Sequence, residues 1–390
     1  MPGDCVFIYS SRFGDFSFGG SHPFKVERFA LTYQLLDSLQ LLSKPAVRII
    51  EAPLALESEL LTFHRQDYLH TLKEFSRDDT LRADFRFGLG DHENPVFPGL
   101  FDWVTLCCGG TLEAVRQVVD KNHRCAFNMA GGWHHAHAAR ASGFSYLNDA
   151  VVAINLLLAR GLRVAYVDLD AHHGDGVQDA FYDTNRVLTI SLHETGKDFF
   201  PHTGFVRELG VGAGYGYAVN VPLAPHSDDL VFEQAFRQVV EPMLQSFAPD
   251  VLITQMGMDI LRTDPLTRLE LTTGSVDFAA RSFLQTGLPW VALGGGGYDK
   301  LNSARGWTVL WAAMTGQPVG EFIPETFQEV IKPLGYEQSL LRDRPHLAQP
   351  DDFCRAQEEL EKNLSFLKRR LFPLHGIPFR GKGGANLERT

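Results

Sequence analysis

The run Tyr166-Val167-Asp168-Leu169-Asp170-Ala171-His172-His173-Gly174-Asp175 decides how this chain folds. It closes the largely apolar segment 162–167, which reads as a buried strand of a parallel sheet. In an extended chain alternate side chains share a face, so Asp168, Asp170 and His172 point one way and His173 the other. Three groups able to bind a cation, at the exit of a buried strand, repel and desolvate one another unless a positive ion joins them. The plain alternative is a strand end capped by solvated acids. A second cluster weighs against it: Gly131-Gly-Trp-His134-His135-Ala-His137 follows another short apolar run, 124–128.

Outward from these two runs, strands and helices alternate. Strands are expected at 6–9, 125–128, 164–168, 187–192, 217–221, 251–255 and 290–293. Helices are expected at 26–39, 105–119, 150–159, 176–182, 228–246, 276–284 and 303–315, with a late amphipathic helix at 352–372. Strands separated by helices give βαβ units and a parallel α/β sheet. There is no linker, repeat or low-complexity tract, so one domain is expected over residues 1–375, followed by a mobile tail over 376–390. Three long loops, 85–100, 193–216 and 258–274, are the kind that carry function. Ligands of open α/β sheets bind beyond the carboxyl ends of the strands. His134, His135, Asp170, His172, Asp259 and 294–298 all fall at such ends.

Asp170, His172 and Asp259 form a set of one imidazole and two carboxylates. Three protein ligands with an open position mark a catalytic rather than a structural metal site. The mixed oxygen and nitrogen donors suit Zn²⁺, and also Fe²⁺ or Mn²⁺. Asp259 alone reads equally well as a helix cap. His134 and His135 need not be ligands: metal-assisted hydrolysis also requires a base and an acid. Imidazoles in that role need carboxylate partners, and Asp168 and Asp175 are spare. Gly294-Gly-Gly-Gly-Tyr298 lacks the spacing of a phosphate loop; it lets backbone approach a ligand and allows the following tyrosine to place its hydroxyl over the site, the plain alternative being a strand-to-helix turn. Gly143-Phe144 and Phe199-Phe200-Pro201 bring aromatics able to wall a narrow channel for an alkyl chain.

Composition sets bounds. A net charge of −11 over 390 residues argues against binding a nucleic-acid backbone and mildly favours basic protein partners. The five cysteines, Cys5, Cys107, Cys108, Cys125 and Cys354, include no CxxC pair, as expected of reduced thiols in the cytoplasm. There is no signal-peptide pattern and no apolar run long enough for a membrane. Oligomeric state has no signal in the chain.

Together, His134-His135-Ala, Asp168-x-Asp-x-His-His-Gly-Asp175, Gln255-x-Gly-x-Asp259 and Gly294-Gly-Gly-Gly-Tyr298 resemble the zinc-dependent histone deacetylase family. His22-Pro-x-Lys-x-x-Arg28 and Glu93-Asn-Pro agree, and the motifs run in order across roughly residues 5–320. The chain looks most like the bacterial members, the histone-deacetylase-like and acetoin-utilisation-type deacetylases. The resemblance implies the arginase/deacetylase fold, an eight-stranded parallel sheet between helices. It implies Zn²⁺ on Asp170, His172 and Asp259. His135 with Asp175 would be the general base and acid, and His134 with Asp168 would act electrostatically. Tyr298 would polarise the acyl carbonyl. Gly143, Phe144 and Phe200 would line an acyl-lysine tunnel, Glu93 would hold the substrate backbone, and Arg28 would sit near an inner exit cavity. It also implies K⁺ at Asp168, Asp170, His172, Ser191 and Leu192, and again at Phe181, Thr184, Val187 and Tyr217.

Some positions depart from the family pattern. Glu93 replaces a common Asp, and Met256 and Met258 replace Cys and Ala. Leu266 is apolar where polyamine-selective relatives carry an acid, which leaves Glu93 as the one acid expected at the rim. The expected substrate is therefore an acetylated protein or peptide. An acetylpolyamine amidohydrolase is the rival enzyme, and a silent acyl-lysine binder the rival of another class. A dimanganese ureohydrolase would need more ligands than the chain offers.

Overall fold

The computed structural model of the chain describes residues 4–78, 80 and 82–378. Among these, eight strands form an all-parallel sheet: β1 (Cys5–Tyr9), β2 (Val47–Glu51), β3 (Cys125–Asn128), β4 (Val164–Asp168), β5 (Val187–Glu194), β6 (Ala218–Leu223), β7 (Val251–Gln255) and β8 (Trp290–Leu293). Their order is β2-β1-β3-β8-β7-β4-β5-β6. The chain passes from β3 to β4 three places away, continues outward through β5 and β6, and returns to fill the gap with β7 and β8. The four adjacent central strands β3, β8, β7 and β4 are thus the ones followed by the chemically loaded loops. That is where the strand order reverses, the switch point at which open α/β sheets bind ligands.

The seven strands read from the sequence are all present, with ends shifted by a residue or two. The eighth, β2, had no sequence signal. It is an edge strand of mixed polarity, Val-Arg-Ile-Ile-Glu, with Ile49 43% exposed, and its register with β1 supplies what its side chains do not.

The helices are α1 (Glu27–Ser38), α2 (Glu57–Leu60), α3 (Gln66–Phe75), α4 (Leu100–Val119), α5 (Asp149–Ala159), α6 (Asp175–Ala180), α7 (Asp229–Ala235), α8 (Glu241–Phe247), α9 (Thr273–Gln285), α10 (Lys300–Thr315), α11 (Glu325–Ile331) and α12 (Pro350–Arg370). The helix expected at 228–246 is α7 and α8 joined by a π turn at Phe236–Val240. Asp228 caps it, accepting from the Leu230 and Val231 N–H groups. Helices α2, α3 and α11 were not expected. Among the described residues no helix is long and apolar enough to cross a membrane.

Successive residues of β3 place the layers. The Phe127 ring packs on Trp307 and Trp311 of α10. Asn128 donates to the Cys107 carbonyl of α4 at 3.0 Å. Neighbouring side chains on a strand point to opposite faces, so α10 and α4 cover opposite faces of the sheet. On the α10 side Phe7, Phe29, Phe127, Trp307 and Trp311 form a fully buried aromatic core. Helix α12 seals the far edge, where Asn363 donates to the Pro222 carbonyl of β6. After it, the Ile377 N–H donates to the Phe372 carbonyl. Most of the tail expected to be mobile, residues 379–390, lies outside the described residues.

Centre and edge of the sheet should respond differently to substitution. Phe127→Ala removes a fully buried ring and should cost about 3–5 kcal/mol. Ile49→Thr on the half-exposed edge should cost under about 0.5 kcal/mol. Urea midpoints of the two variants check this, and comparable losses would contradict the layer assignment.

Candidate active site

Asp168 ends β4, and the chain beyond it turns back over the sheet. Its Oδ1 accepts the Asp170 N–H (3.1 Å), and Asp170 Oδ1 in turn accepts the His172 N–H (3.0 Å). These ties keep Asp168, Asp170 and His172 on the site side, as strand alternation predicts. His173 points away, toward Thr203 and Gln178. Asp259 follows β7 and is not a helix cap: its Oδ1 accepts the Ala171 N–H at 3.0 Å. Asp170, His172 and Asp259 converge, each buried, with one potential ligand atom apiece and all of these within 4.8 Å of one another. His172 Nδ1 lies 2.9 Å from Asp259 Oδ2 and 3.2 Å from Asp170 Oδ1.

The donor set fits a divalent cation. Burial alone would strip His172 of its proton, yet the two carboxylates raise its pKa to about 10. The site thus holds positive charge against a strong desolvation penalty. The backbone is shaped to the same end. A Cβ on Gly257 would stand 2.2 Å from Asp170 Oδ2, and one on Gly296 2.1 Å from Asp259 Oδ2. The Gly296 N–H donates to Asp170 Oδ2 at 2.6 Å.

His134 and His135 follow β3, with ring centroids 4.0 Å apart. His134 Nδ1 meets Asp168 Oδ2 at 2.8 Å, and His135 Nδ1 meets Asp175 Oδ1 at 2.7 Å. Their environments drive them apart. Burial works against a charged His134, but Asp168 and then Asp170 overcome it and raise the pKa to about 9. Burial, reinforced by the charge of His134, depresses His135 to about 4. The pair therefore holds one charged and one neutral imidazole.

Tyr298 follows β8 and the glycine run. Its ring lies edge-on to Phe144 (5.8 Å) and to His172 (6.3 Å). Phe199 stacks on His172 at 4.6 Å, and Phe200 meets His135 at 5.0 Å. Gly143, at φ +53, has no space for a side chain: a Cβ would lie 2.4 Å from His135 Cδ2 and 2.9 Å from Phe200 Cε1. These groups line an open slot of about 450 Å³ that also takes in Glu93, Asp198, His202 and Leu266. The Gly143 N–H donates to Glu93 Oε1. Asp198 corrects the expectation of a rim with Glu93 as its one acid: a second carboxylate borders the mouth.

Arg28 lies deeper, fully buried. Its Nη1 donates to the Gly297 carbonyl at 2.9 Å, and its guanidinium lies 4.3 Å from the centroid of the Phe24 ring, which lines a small inner cavity behind His134. Of the two residue sets expected for K⁺, the first is gathered around the β4–β5 pairing, where Asp168 faces Ser191 in register and Leu192 follows. In the second, the Thr184 N–H donates to the Phe181 carbonyl, Val187 opens β5, and the Tyr217 carbonyl accepts from Thr189.

Several roles escaped the sequence reading, although Gln255 and His137 stood in its motifs. Asp149, in the first turn of α5, accepts the Gly132 and Trp133 N–H groups and so holds the loop before the two histidines. Asn148 caps α5 through Val151 and donates to the His134 and Ala136 carbonyls. The adjacent Asn148-Asp149 pair at a helix start was the available signal. Gln255 Nε2 donates to the Gly132 carbonyl at 2.8 Å. His137 Nε2 stands 3.6 Å from Asp175 Oδ2, so that carboxylate serves two imidazoles.

Comparison with known proteins gives the family. The family profile described as Histone deacetylase domain matches residues 22–314. The chain is 40% identical over 330 residues to the acetoin utilization protein AcuC of Bacillus subtilis (strain 168), covering 82% of this chain and 84% of that protein. It is 38% identical over 300 residues to histone deacetylase 8 of Xenopus tropicalis, covering 76% and 80%. The crystal structure of an HDAC homolog from Aquifex aeolicus superposes with a TM-score of 0.84 at 32% identity, over 93% of this chain and all of that one. The chain belongs to the histone deacetylase family, a family of metal-dependent deacetylases.

Two outcomes follow from the geometry. Asp259→Ala removes one of the three convergent donors and should lose the bound metal; full occupancy by elemental analysis would refute the ligand set. The second concerns acid stability. His64 Nε2 accepts the Asn148 N–H at 3.0 Å, so it must be unprotonated, and burial lowers its pKa from 6.5 to about 3. The unfolded chain binds this proton below about pH 6.5 and the folded one does not, so stability is full above that pH and falls as pH drops toward 3. Between pH 7 and pH 5.5 the loss should be about 1 kcal/mol smaller in His64→Gln than in the wild type. Identical losses in denaturant titrations would remove His64 from the account.

Proposed function

We propose that the chain is a zinc-dependent amidohydrolase that removes acetyl or another short acyl group from lysine side chains of proteins or peptides. The carrying observation is the buried Asp170–His172–Asp259 set at the foot of an aromatic slot, beside a neutral His135 and the Tyr298 hydroxyl. We assign the machinery to one domain over residues 1–375, acting in the cytoplasm, with K⁺ beneath it at the two residue sets named above.

Asp170, His172 and Asp259 would hold a divalent ion, which would supply polarisation of a carbonyl and activation of water near neutral pH. The protein's own groups do the rest. The lysine stem lies between Phe144 and Phe200, where each buried methylene contributes about 0.8 kcal/mol. Glu93 and Leu266 flank the substrate backbone at the mouth. Tyr298 donates its hydroxyl to the acyl oxygen as negative charge develops there. Burial holds that phenol protonated, with Asp259 and Asp170 adding to the effect. His135, neutral and oriented by Asp175, takes a proton from the attacking water and delivers it to the departing amine. His134, charged and fixed by Asp168, stabilises the negative charge without exchanging its proton. Water and amide thus become a carboxylic acid and an amine, which part as carboxylate and ammonium. An HDAC homolog, 32% identical to this chain with a TM-score of 0.84, has been crystallised in complex with SAHA, and we infer that the same slot here takes that ligand.

Asp198 at the mouth supports a second reading, in which the substrate is an acetylated polyamine whose distal ammonium pairs with a rim acid. The intact His135 and Tyr298 argue against a silent acyl-lysine binder.

The deciding experiment compares kcat/KM for an acetyl-lysine peptide with that for N-acetylputrescine. The peptide should win, and faster hydrolysis of N-acetylputrescine would install the polyamine reading instead. His135→Ala should lose at least the ~10²–10⁴-fold of a general acid–base and His134→Ala distinctly less. Equal or reversed losses would show the two roles misassigned.

A further inference from the structure

We infer that Asp264 is a positioning residue for the Tyr298 hydroxyl, acting through the Gly297–Tyr298 peptide. The inference rests on the deacylase reading above and concerns a residue that reading leaves unused.

Tyr298 ends a run of four glycines, two of them in the left-handed region, Gly295 at φ +97 and Gly297 at φ +132. Such a run has no side chains to fix the residue that follows it, and its backbone rotates at little steric cost. The ring is therefore aimed by the ties its backbone makes. The peptide unit immediately before Tyr298 is gripped at both edges. Its carbonyl, from Gly297, accepts from Arg28 Nη1 at 2.9 Å, and its N–H, from Tyr298, donates to Asp264 Oδ2 at 2.7 Å. A guanidinium on one side and a carboxylate on the other set the plane of that peptide, and with it the direction in which the tyrosine leaves the backbone. Hydrogen bonds to charged groups are the shorter and stronger kind.

Asp264 is itself held. It is only 6% exposed. Its Oδ1 accepts the Leu266 N–H at 2.9 Å, and the preceding Thr263 Oγ1 accepts from Asn302 Nδ2 of α10 at 2.6 Å. One carboxylate thus ties the hydroxyl at the foot of the slot to Leu266 at its mouth. Residues 264 and 298 are far apart in sequence, and neither loop has a pattern that announces the contact.

Asp264→Asn preserves shape but leaves one acceptor for two N–H groups, so the amide must set an N–H₂ against one of them. With an acetyl-lysine peptide, kcat should fall about tenfold to a hundredfold, as expected when a reacting group is misplaced by an ångström or less. KM should stay within about threefold, because the loss falls on the transition state. Metal content should be unchanged. The decisive comparison is with Tyr298→Phe: if Asp264 acts through that hydroxyl, the double variant is no slower than Tyr298→Phe alone. In enzyme containing 3-fluorotyrosine, the ¹⁹F resonance of position 298, assigned by its absence from Tyr298→Phe, should shift or broaden in Asp264→Asn. An undiminished kcat, penalties that multiply in the double variant, or loss of metal would each overturn the inference. If the wild-type enzyme leaves acyl-lysine untouched, the deacylase reading falls by itself. The ¹⁹F resonance then decides Asp264 independently, an unchanged signal counting against it.

Discussion

Asp170 and Asp259 are buried side by side, and most of the site is arranged around that fact. At the separations present, two like charges repel by roughly 3–4 kcal/mol even at an effective dielectric near 20. A typical net hydrogen bond contributes about 1 kcal/mol. The backbone donors from Ala171, His172 and Gly296 reduce the cost but do not remove it. A cation does. The glycines at 257 and 296 are then a consequence, since any Cβ would occupy the volume of the carboxylates. So is the sheet order, which brings the ends of β4, β7 and β8 next to one another.

The same field separates the two histidines. At a ring separation of 4.0 Å they do not both stay charged in a buried site, and the partners decide which one does. Asp168 is wholly buried, and Asp170 lies 3.9 Å from His134 Nε2, so His134 keeps the proton. Asp175 is shared with His137, which in turn lies 3.4 Å from the exposed Asp179. His135 is left neutral with a free ring nitrogen facing the slot. Two chemically identical residues, adjacent in the chain, acquire different tasks from the carboxylates behind them.

Much of this was legible in the sequence because the site is built at strand ends. Strand alternation is local, so Asp168, Asp170 and His172 could be assigned to one face and His173 to the other without knowing the fold. Asp259 was harder: its carboxylate serves loop 169–174 and caps no helix, and nothing local distinguishes the two uses. Asp149 and Asn148 were missed because a capping pair at a helix start looks the same whether or not it also restrains a functional loop. Asp264 and Asp198 had no signal at all, since the tie of Asp264 to Tyr298 and the place of Asp198 at the mouth both depend on residues of other loops. Strand β2 was invisible for the opposite reason. An edge strand is held by its register with β1 and needs little apolar patterning.

That division has a consequence for how such a protein varies. The candidate metal ligands, the histidine pair and the tyrosine all follow four adjacent strands, and slipping one of those strands by a residue would turn its own side chains to the other face. The mouth is built from Glu93, Asp198 and Leu266, each on a different long loop, with no strand register to hold them. A change at the mouth alters charge and shape without disturbing the ligands, so substrate choice is free to drift while the reaction is not. The Gly297–Tyr298 peptide is the exception. Asp264 ties it to the same short segment that sets Leu266, and there a change selecting a substrate also reaches the hydroxyl to which we assign stabilisation of the acyl oxygen.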